Sequence, residues 1–486
     1  MNDRRPLSGN RPGEQNSAYE RLRPPLLVFF DSACKDIPSL FERALRLGCT
    51  EMDAAYECDI RFVERVKIFT HEYLKYCKFL TDEHATPGVV SKKLYAVLIS
   101  NSQLLEDFLD FHGAKNNSDW YFFRELSAAV RHLSLACYSQ KHILNRLIFY
   151  DLVDMENFKR EGEATFAFLT NTLKNLAPVI IEEARRLNIP EPAETVDIAV
   201  FPEVVTTKML PYNIDDENRD QQKKHIVNIA SEFIRIAKTL DQFRFYEPYS
   251  IQEICTIVPD KINEVEVRRF EMLVHNLQSS FDTYVIHGGY RFGKRKLKQL
   301  RGNFSAVFHL LQVMGRLLHF YERHLYDAGY KNIYKRVQER LALLVDTQAL
   351  LDRTINFGLY YTCHFLNIGT KLAGDILNEN IERGSIVVGI PVKLGFHSRP
   401  SLLVAKIVQH YGGQVEMVVG EDRFDASSVL DIQWAGGKIQ KENLERVIFE
   451  GDERALKDIK ILASINYGED SMGKGVPLPR ELKYLK

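Results

Sequence analysis

Apolar positions recur at helical spacing along most of the chain. Leu40, Phe41, Ala44, Leu45 and Leu47 open the pattern, and Phe62, Val63, Val66, Phe69, Tyr73, Leu74 and Cys77 continue it. Residues three and four apart share one face of a helix, so such a stripe marks the side that must be buried. The same spacing predicts helices through Leu94–Phe111, Phe122–Cys137, Ile143–Ile148 and Glu156–Leu187. Between Asn188 and Arg219 the pattern pauses. Pro190, Pro192, Pro202 and Pro211 fall there, with β-type runs at Val196–Val200 and Val204–Met209. Proline removes a backbone donor and clashes with the preceding turn, so helices end in such a stretch. Helical spacing resumes over Gln221–Phe245, Val265–Val285, Lys296–Tyr326 and Ile333–Leu377. These stripes are rich in aromatics, which predicts the seams of a helix bundle rather than a cofactor box.

At Gly384 the pattern changes. Ser385–Leu394 is β-branched and apolar, and short strands and helices alternate after it. Strands are predicted at Ile386–Lys393, Gln414–Val419, Arg423–Asp425 and Glu445–Phe449. Helices are predicted at Pro400–His410, from Ser427 or Ser428 to Trp434 before Gly436-Gly437, and at Glu453–Ile465. The fold class expected is therefore multidomain: a large, mostly α-helical N-terminal region and a C-terminal α+β unit. Its parts are a tail over 1–25, a helical domain over 26–188 and a Pro-rich excursion or linker over 189–219. A second helical domain, or a continuation of the bundle, covers 220–383, and the α+β unit covers 384–486.

The turn Gly395-Phe396-His397-Ser398-Arg399-Pro400 sits where a strand hands over to a helix. A helix N-terminus offers unpaired N–H groups and the positive end of a dipole, which suits a phosphoryl group. The same field disfavours imidazolium, so a histidine there stays a neutral nucleophile. Arg399 can pair with phosphate oxygens through its fork of donors. Ser427 and Ser428 stand at the start of the next predicted helix, where a serine caps free N–H groups. A phosphate there would be favoured by the dipole and add nearly two negative charges.

The segment 395–400 resembles the Gly-Leu-His-Ala-Arg-Pro signature of HPr, the histidine phosphocarrier of the bacterial sugar phosphotransferase system. Downstream, Phe424-Asp425-Ala426-Ser427-Ser428-Val429-Leu430 is similar to the segment around that family's regulatory serine. Gly436 and Gly451-Asp452-Glu453 fall at about the family's places, so the resemblance runs from Ser385 to Glu469. It implies an open-faced β-sandwich, with three helices on a four-stranded antiparallel sheet. It also implies that His397 accepts phosphate from an Enzyme I-like donor, with Arg399 stabilising the phosphate. Ser428 is the implied regulatory phosphorylation site, before Ser427. Phe396 and Leu430 are the implied docking residues, and an EIIA-like acceptor or an HPr-kinase-like regulator are implied partners. Asp431 and Gln433 make this patch more polar and acidic than is usual in the family. They shift weight from sugar transport toward a regulatory fusion.

The remaining composition narrows little. In 486 residues, 64 basic and 65 acidic side chains give a net charge of −1. That balance gives no general reason for nucleic acid or an anionic membrane as partner. The basic run Arg291–Lys298 reads as a solvated loop entering a helix. The longest apolar stretch, Phe357–Leu372, is broken by His364, Asn367 and Lys371, and no signal-peptide core precedes Pro25. Seven scattered cysteines without a CxxC pair suit reduced thiols in a cytoplasmic protein. Fourteen histidines show no metal-ligand spacing: His319 and His324 lie five apart, and no HExxH occurs. No cofactor and no metal are expected. The chain is expected to be a phosphoryl carrier rather than a classical enzyme, relaying or sensing phosphate. The alternative is a regulatory interaction protein whose helical region binds an unknown partner under control of the C-terminal unit.

Overall fold

The computed structural model describes residues 54–82, 91–194, 196–197, 219–240, 243, 245, 247–286, 295–326, 329 and 331–485. The expected tail, the helix through Leu40–Leu47, the β-type run at 204–209, most of that at 196–200, and Arg291–Lys294 lie outside them. The chain divides into two compact units, Met1–Arg65 and Val66–Lys486. In the first, the described residues are helical from Ala54 onward. Everything below concerns the second.

The helical body follows the apolar stripes closely. Its helices are α1 (Ala54–Leu80, of which the part from Val66 lies in this unit), α2 (Lys92–Phe111), α3 (Tyr121–Tyr150) and α4 (Met155–Arg186). Then come α5 (Arg219–Leu240), α6 (Ile251–Ile257), α7 (Glu264–Phe281), α8 (Arg295–Phe320), α9 (Asn332–Leu344), α10 (Thr347–Asp352) and α11 (Tyr360–Asn380). Two predicted pieces merge into α3, because nothing between Cys137 and Ile143 breaks a helix. The single stretch predicted over Ile333–Leu377 instead divides at Val345, which is extended. Asp346 restarts the helix there by accepting the Ala349 N–H at 2.9 Å.

Helices from both sides of the Pro-rich stretch pack together: α8 lies against α3 and also against α7 and α11. Gly302 makes the α8–α3 approach possible, since a Cβ there would sit 2.1 Å from the Tyr150 carbonyl oxygen. Phe123, Leu126, Val130, Phe304, Leu311, Phe320 and Phe365 are fully buried in this core. Each such side chain contributes about 1.5–3 kcal/mol.

After α11 comes the α+β unit: β1 (Arg383–Gly389), α12 (Ser398–Tyr411), β2 (Val415–Val419), β3 (Asp422–Asp425), α13 (Val429–Glu442), β4 (Arg446–Asp452) and α14 (Glu453–Ser464). The sheet is antiparallel throughout, in the order β1-β4-β2-β3. Its pairing sets Ile386 opposite Phe449 and Met417 opposite both Phe449 and Phe424. Met417 and Phe449 join Val404, Ile407, Ile432, Ile439, Ile459 and Leu462 in the core under the three helices. On the other face Val387 is exposed, and Arg423 bridges Glu416 and Glu450 at 2.7 and 2.9 Å.

The second helix of this unit runs through Gly436-Gly437 instead of stopping before them. Gly436 is buried on the helix face that meets Phe396, where a Cβ would lie 3.0 Å from the Phe396 Cβ. Close approach of a neighbouring segment's backbone, which only a glycine admits, outweighs its usual tendency to end a helix. The unit docks on the body through the end of α12. Ser231 donates to the Tyr411 carbonyl at 2.9 Å, and the Gln414 N–H donates to Asn378 at 2.9 Å.

Candidate phosphoryl-accepting site

The turn before α12 is shaped by Gly395, whose φ of +61° is left-handed and suits glycine. It lets the His397 N–H reach the Gly395 carbonyl at 2.9 Å. His397 is the N-cap of α12, with extended backbone and no side-chain capping bond. Its own carbonyl accepts the Ser401 N–H at 3.1 Å. Pro400 has no N–H, so Ser398 and Arg399 supply the free backbone donors of the first turn.

Glu469 completes the site. His397 Nε2 lies 3.0 and 3.1 Å from its two carboxylate oxygens. The Glu469 side chain is 1% exposed and that of His397 30%. A carboxylate at Nε2 holds the ring proton there and leaves the Nδ1 lone pair open beside the helix N-terminus. Arg399 Nη1 stands 3.8 Å from the same carboxylate. That arginine is half-exposed, its guanidinium against Gly475.

The chain after α14 delivers Glu469. Asn466 and Tyr467 both adopt left-handed φ, 49° and 55°, which side-chain-bearing residues enter at a cost of order 1 kcal/mol. Local contacts hold them. The Val392 N–H donates to Asn466 Oδ1 at 3.0 Å, and the Tyr467 hydroxyl donates to the Gly389 carbonyl at 2.7 Å. Burial pushes the Tyr467 phenol well up, so it stays a donor. Leu482 and Leu485 then anchor the tail in the core.

The other residues singled out from the sequence separate by role. Phe396 is 3% exposed, with its ring 5.1 Å from that of Tyr467, so it is a core residue and offers no surface for docking. Leu430 is 63% exposed, and Trp434, one turn along α13 and not among the implied docking residues, is 68% exposed. Leu and Trp at i and i+4 form one apolar ridge. Ser428 caps α13, its Oγ accepting the Asp431 N–H at 3.2 Å. Ser427 Oγ donates to Asp425 at 2.8 Å. Both serines are half-buried.

In the body, burial holds the His132 imidazole well below its usual range, with Arg131 and neighbouring histidines adding to the effect. His319 and His324 lie beside it, each bound to a carboxylate. The five-residue spacing of His319 and His324 argues against a shared site on a regular α-helix. On an α-helix, residues five apart point about 140° from one another. Here α8 passes into a π-helical turn at Tyr321–Tyr326, whose i to i+5 bonding sets residues five apart nearly in line.

No family model matches the chain, and no curated protein or solved structure matches it. Among the described residues, no helix is long and apolar enough to cross a membrane.

Proposed function

We propose that the C-terminal unit is an HPr-like phosphocarrier domain, an open-faced β-sandwich in which His397 accepts a phosphoryl group from an Enzyme I-like donor. The observation that carries this is the N-cap imidazole with Nε2 on buried Glu469, an arrangement that leaves Nδ1 as the ring nitrogen with a lone pair to react. The Nδ1 lone pair attacks the donor's phosphorus as the donor's own P–N bond breaks, and the donor ring leaves with that electron pair. The ring proton stays on Nε2, hydrogen-bonded to Glu469, so the phosphorylated ring carries the positive charge that this carboxylate offsets. Ser398 and Arg399 N–H groups, with the Arg399 guanidinium, take the phosphoryl oxygens. Leu430 and Trp434 form the apolar contact for the donor, and for an EIIA-like acceptor. An HPr-kinase-like regulator would act on Ser428, or on Ser427, at the head of α13.

Incubation with an Enzyme I and labelled phosphoenolpyruvate tests this. Label that is acid-labile, alkali-stable and absent from His397→Ala is expected. No labelling by several such donors would refute the carrier role.

A regulatory reading has its own support. The end of α12, Gln414 just before β2, and α14 contact the helical body through Ser231–Tyr411, Gln414–Asn378 and Arg454–Ser231. Phosphorylation that alters this contact would control what the helical region binds. A phosphorylated form that persists, without discharge to an acceptor, favours this second reading.

A further inference from the structure

A second convergence of chemistry-bearing side chains lies inside the helical body. His132 on α3, His319 in the last turn of α8 and His324 in the π-helical turn after it bring one ring nitrogen each within 4.8 Å of the others. The His132 and His319 rings stack at 4.2 Å. His132 and His324 are buried, and His319 keeps a partly exposed edge toward solvent.

Two of the three rings are oriented from behind. His319 Nδ1 lies 2.8 Å from Glu264, and His324 Nδ1 lies 2.6 Å from Glu125. Glu125 is itself gripped by Arg124 at 2.9 Å, and Arg124 also bonds Glu106 and Asp110. A carboxylate on Nδ1 fixes the tautomer and leaves the Nε2 lone pair free, the arrangement that orients metal-bound histidines. His132 completes the set: its Nδ1 is buried without a hydrogen-bond partner.

We propose that His132, His319 and His324 bind one divalent first-row transition metal ion, zinc(II) being the probe of choice, with Glu125 and Glu264 as positioning residues. An all-imidazole set suits zinc, copper, iron or nickel over calcium or magnesium, and three protein ligands leave a coordination position open. Tetrahedral zinc needs ligand nitrogens about 3.4 Å apart, so the rings close in by small rotations on binding. His132 also shifts its ring proton. Arg131 Nη2 now lies 3.1 Å from Nε2, which places the proton on Nδ1. When Nδ1 takes the metal, the proton moves to Nε2 and Arg131 turns fully onto Glu106, whose Oε2 its Nε already approaches at 3.0 Å. Arg131 and Arg316 are the cationic neighbours of His132, and Glu106, Glu125 and Glu264 supply the offsetting negative charge. The proposal is independent of phosphoryl transfer at His397.

The test uses the metal-depleted full-length chain, titrated with zinc(II) and with cobalt(II) and followed by calorimetry, metal analysis and the visible spectrum of cobalt. About one ion per chain is expected. His319→Gln, at the least buried ligand, should lose that ion. Glu264→Gln should weaken binding about 10–100-fold while keeping the cobalt spectrum. His71→Gln, on the exposed side of α1, should leave binding unchanged. Absence of stoichiometric binding by the folded protein overturns the proposal, as does binding unaltered in His319→Gln. If that variant does not fold, X-ray absorption of the wild-type cobalt complex decides: imidazole ligation supports the site, and a shell without it overturns the site.

Discussion

Glu469 sets its buried carboxylate 3.0 Å from Nε2 of His397, a partly exposed N-cap imidazole, and under the proposed carrier role this leaves Nδ1 as the nitrogen that reacts. Glu469→Gln keeps the shape of the side chain and removes its charge. A hydrogen bond to a charged partner is worth about 1.5 kcal/mol or more, so phosphoryl uptake should slow about tenfold. Rapid-quench phosphorylation measures this, with circular dichroism to show that the fold persists. An unchanged uptake rate would mean that Glu469 does not orient the ring.

Arg399 is expected to act only on the phosphorylated state, because its guanidinium is half-exposed and meets Glu469 at a loose 3.8 Å. Arg399→Ala should slow transfer about tenfold or more with little change in stability. Arg399→Lys should recover only part of the rate, since a point charge lacks the two-pronged fit to phosphate. Full recovery by lysine would show that charge alone suffices.

Leu430 and Trp434 project from α13 without packing on the core. Truncating either to alanine should shift stability by less than about 0.5 kcal/mol. If the ridge docks the donor, each change raises KM for the donor several-fold and leaves kcat nearly constant. Steady-state kinetics with varied donor concentration separate the two. A fall in kcat at constant KM would place these residues outside the docking surface.

Acid should weaken the helical body through its buried histidines. Burial lowers His309 to about 4 and His142 to about 2, with Lys92 and Arg146 opposing a further positive charge at both. The unfolded chain takes up these protons near pH 6.5, and the folded chain does not until much lower. Stability from neutral imidazoles is thus full above about pH 6.5 and falls toward pH 4 by about 1.4 kcal/mol per unit per site. Denaturant unfolding at several pH values should show this slope reduced in His309→Gln. An equal slope in that variant would remove His309 from the acid response.

The apolar spacing made most of this architecture legible. The stripes through Phe62–Cys77, Leu94–Phe111 and Glu156–Leu187 fall on α1, α2 and α4. The change at Gly384 falls beside the start of β1, and His397 stands at the head of α12 as its neighbours Gly395 and Pro400 suggested. What escaped depends on contacts distant in sequence. Glu469 lies in a tail without periodic pattern, and its role arises only because Asn466 and Tyr467 turn the chain back toward Val392 and Gly389. The resemblance makes Phe396 a docking residue, but it is buried against Tyr467 and packs beside Gly436. His132 is brought to His319 and His324 by helix packing and a widened helical turn, neither of which residue spacing encodes.

The most direct measurement is the phosphorus NMR spectrum of the full-length chain after phosphorylation by a phosphoenolpyruvate-charged Enzyme I, with His397→Ala alongside. A single phosphohistidine resonance of the Nδ1-linked isomer, absent from His397→Ala, is the predicted result. A resonance of the Nε2-linked isomer, or a phosphohistidine signal that survives in His397→Ala, would contradict the assignment of His397 Nδ1 as the phosphoryl acceptor.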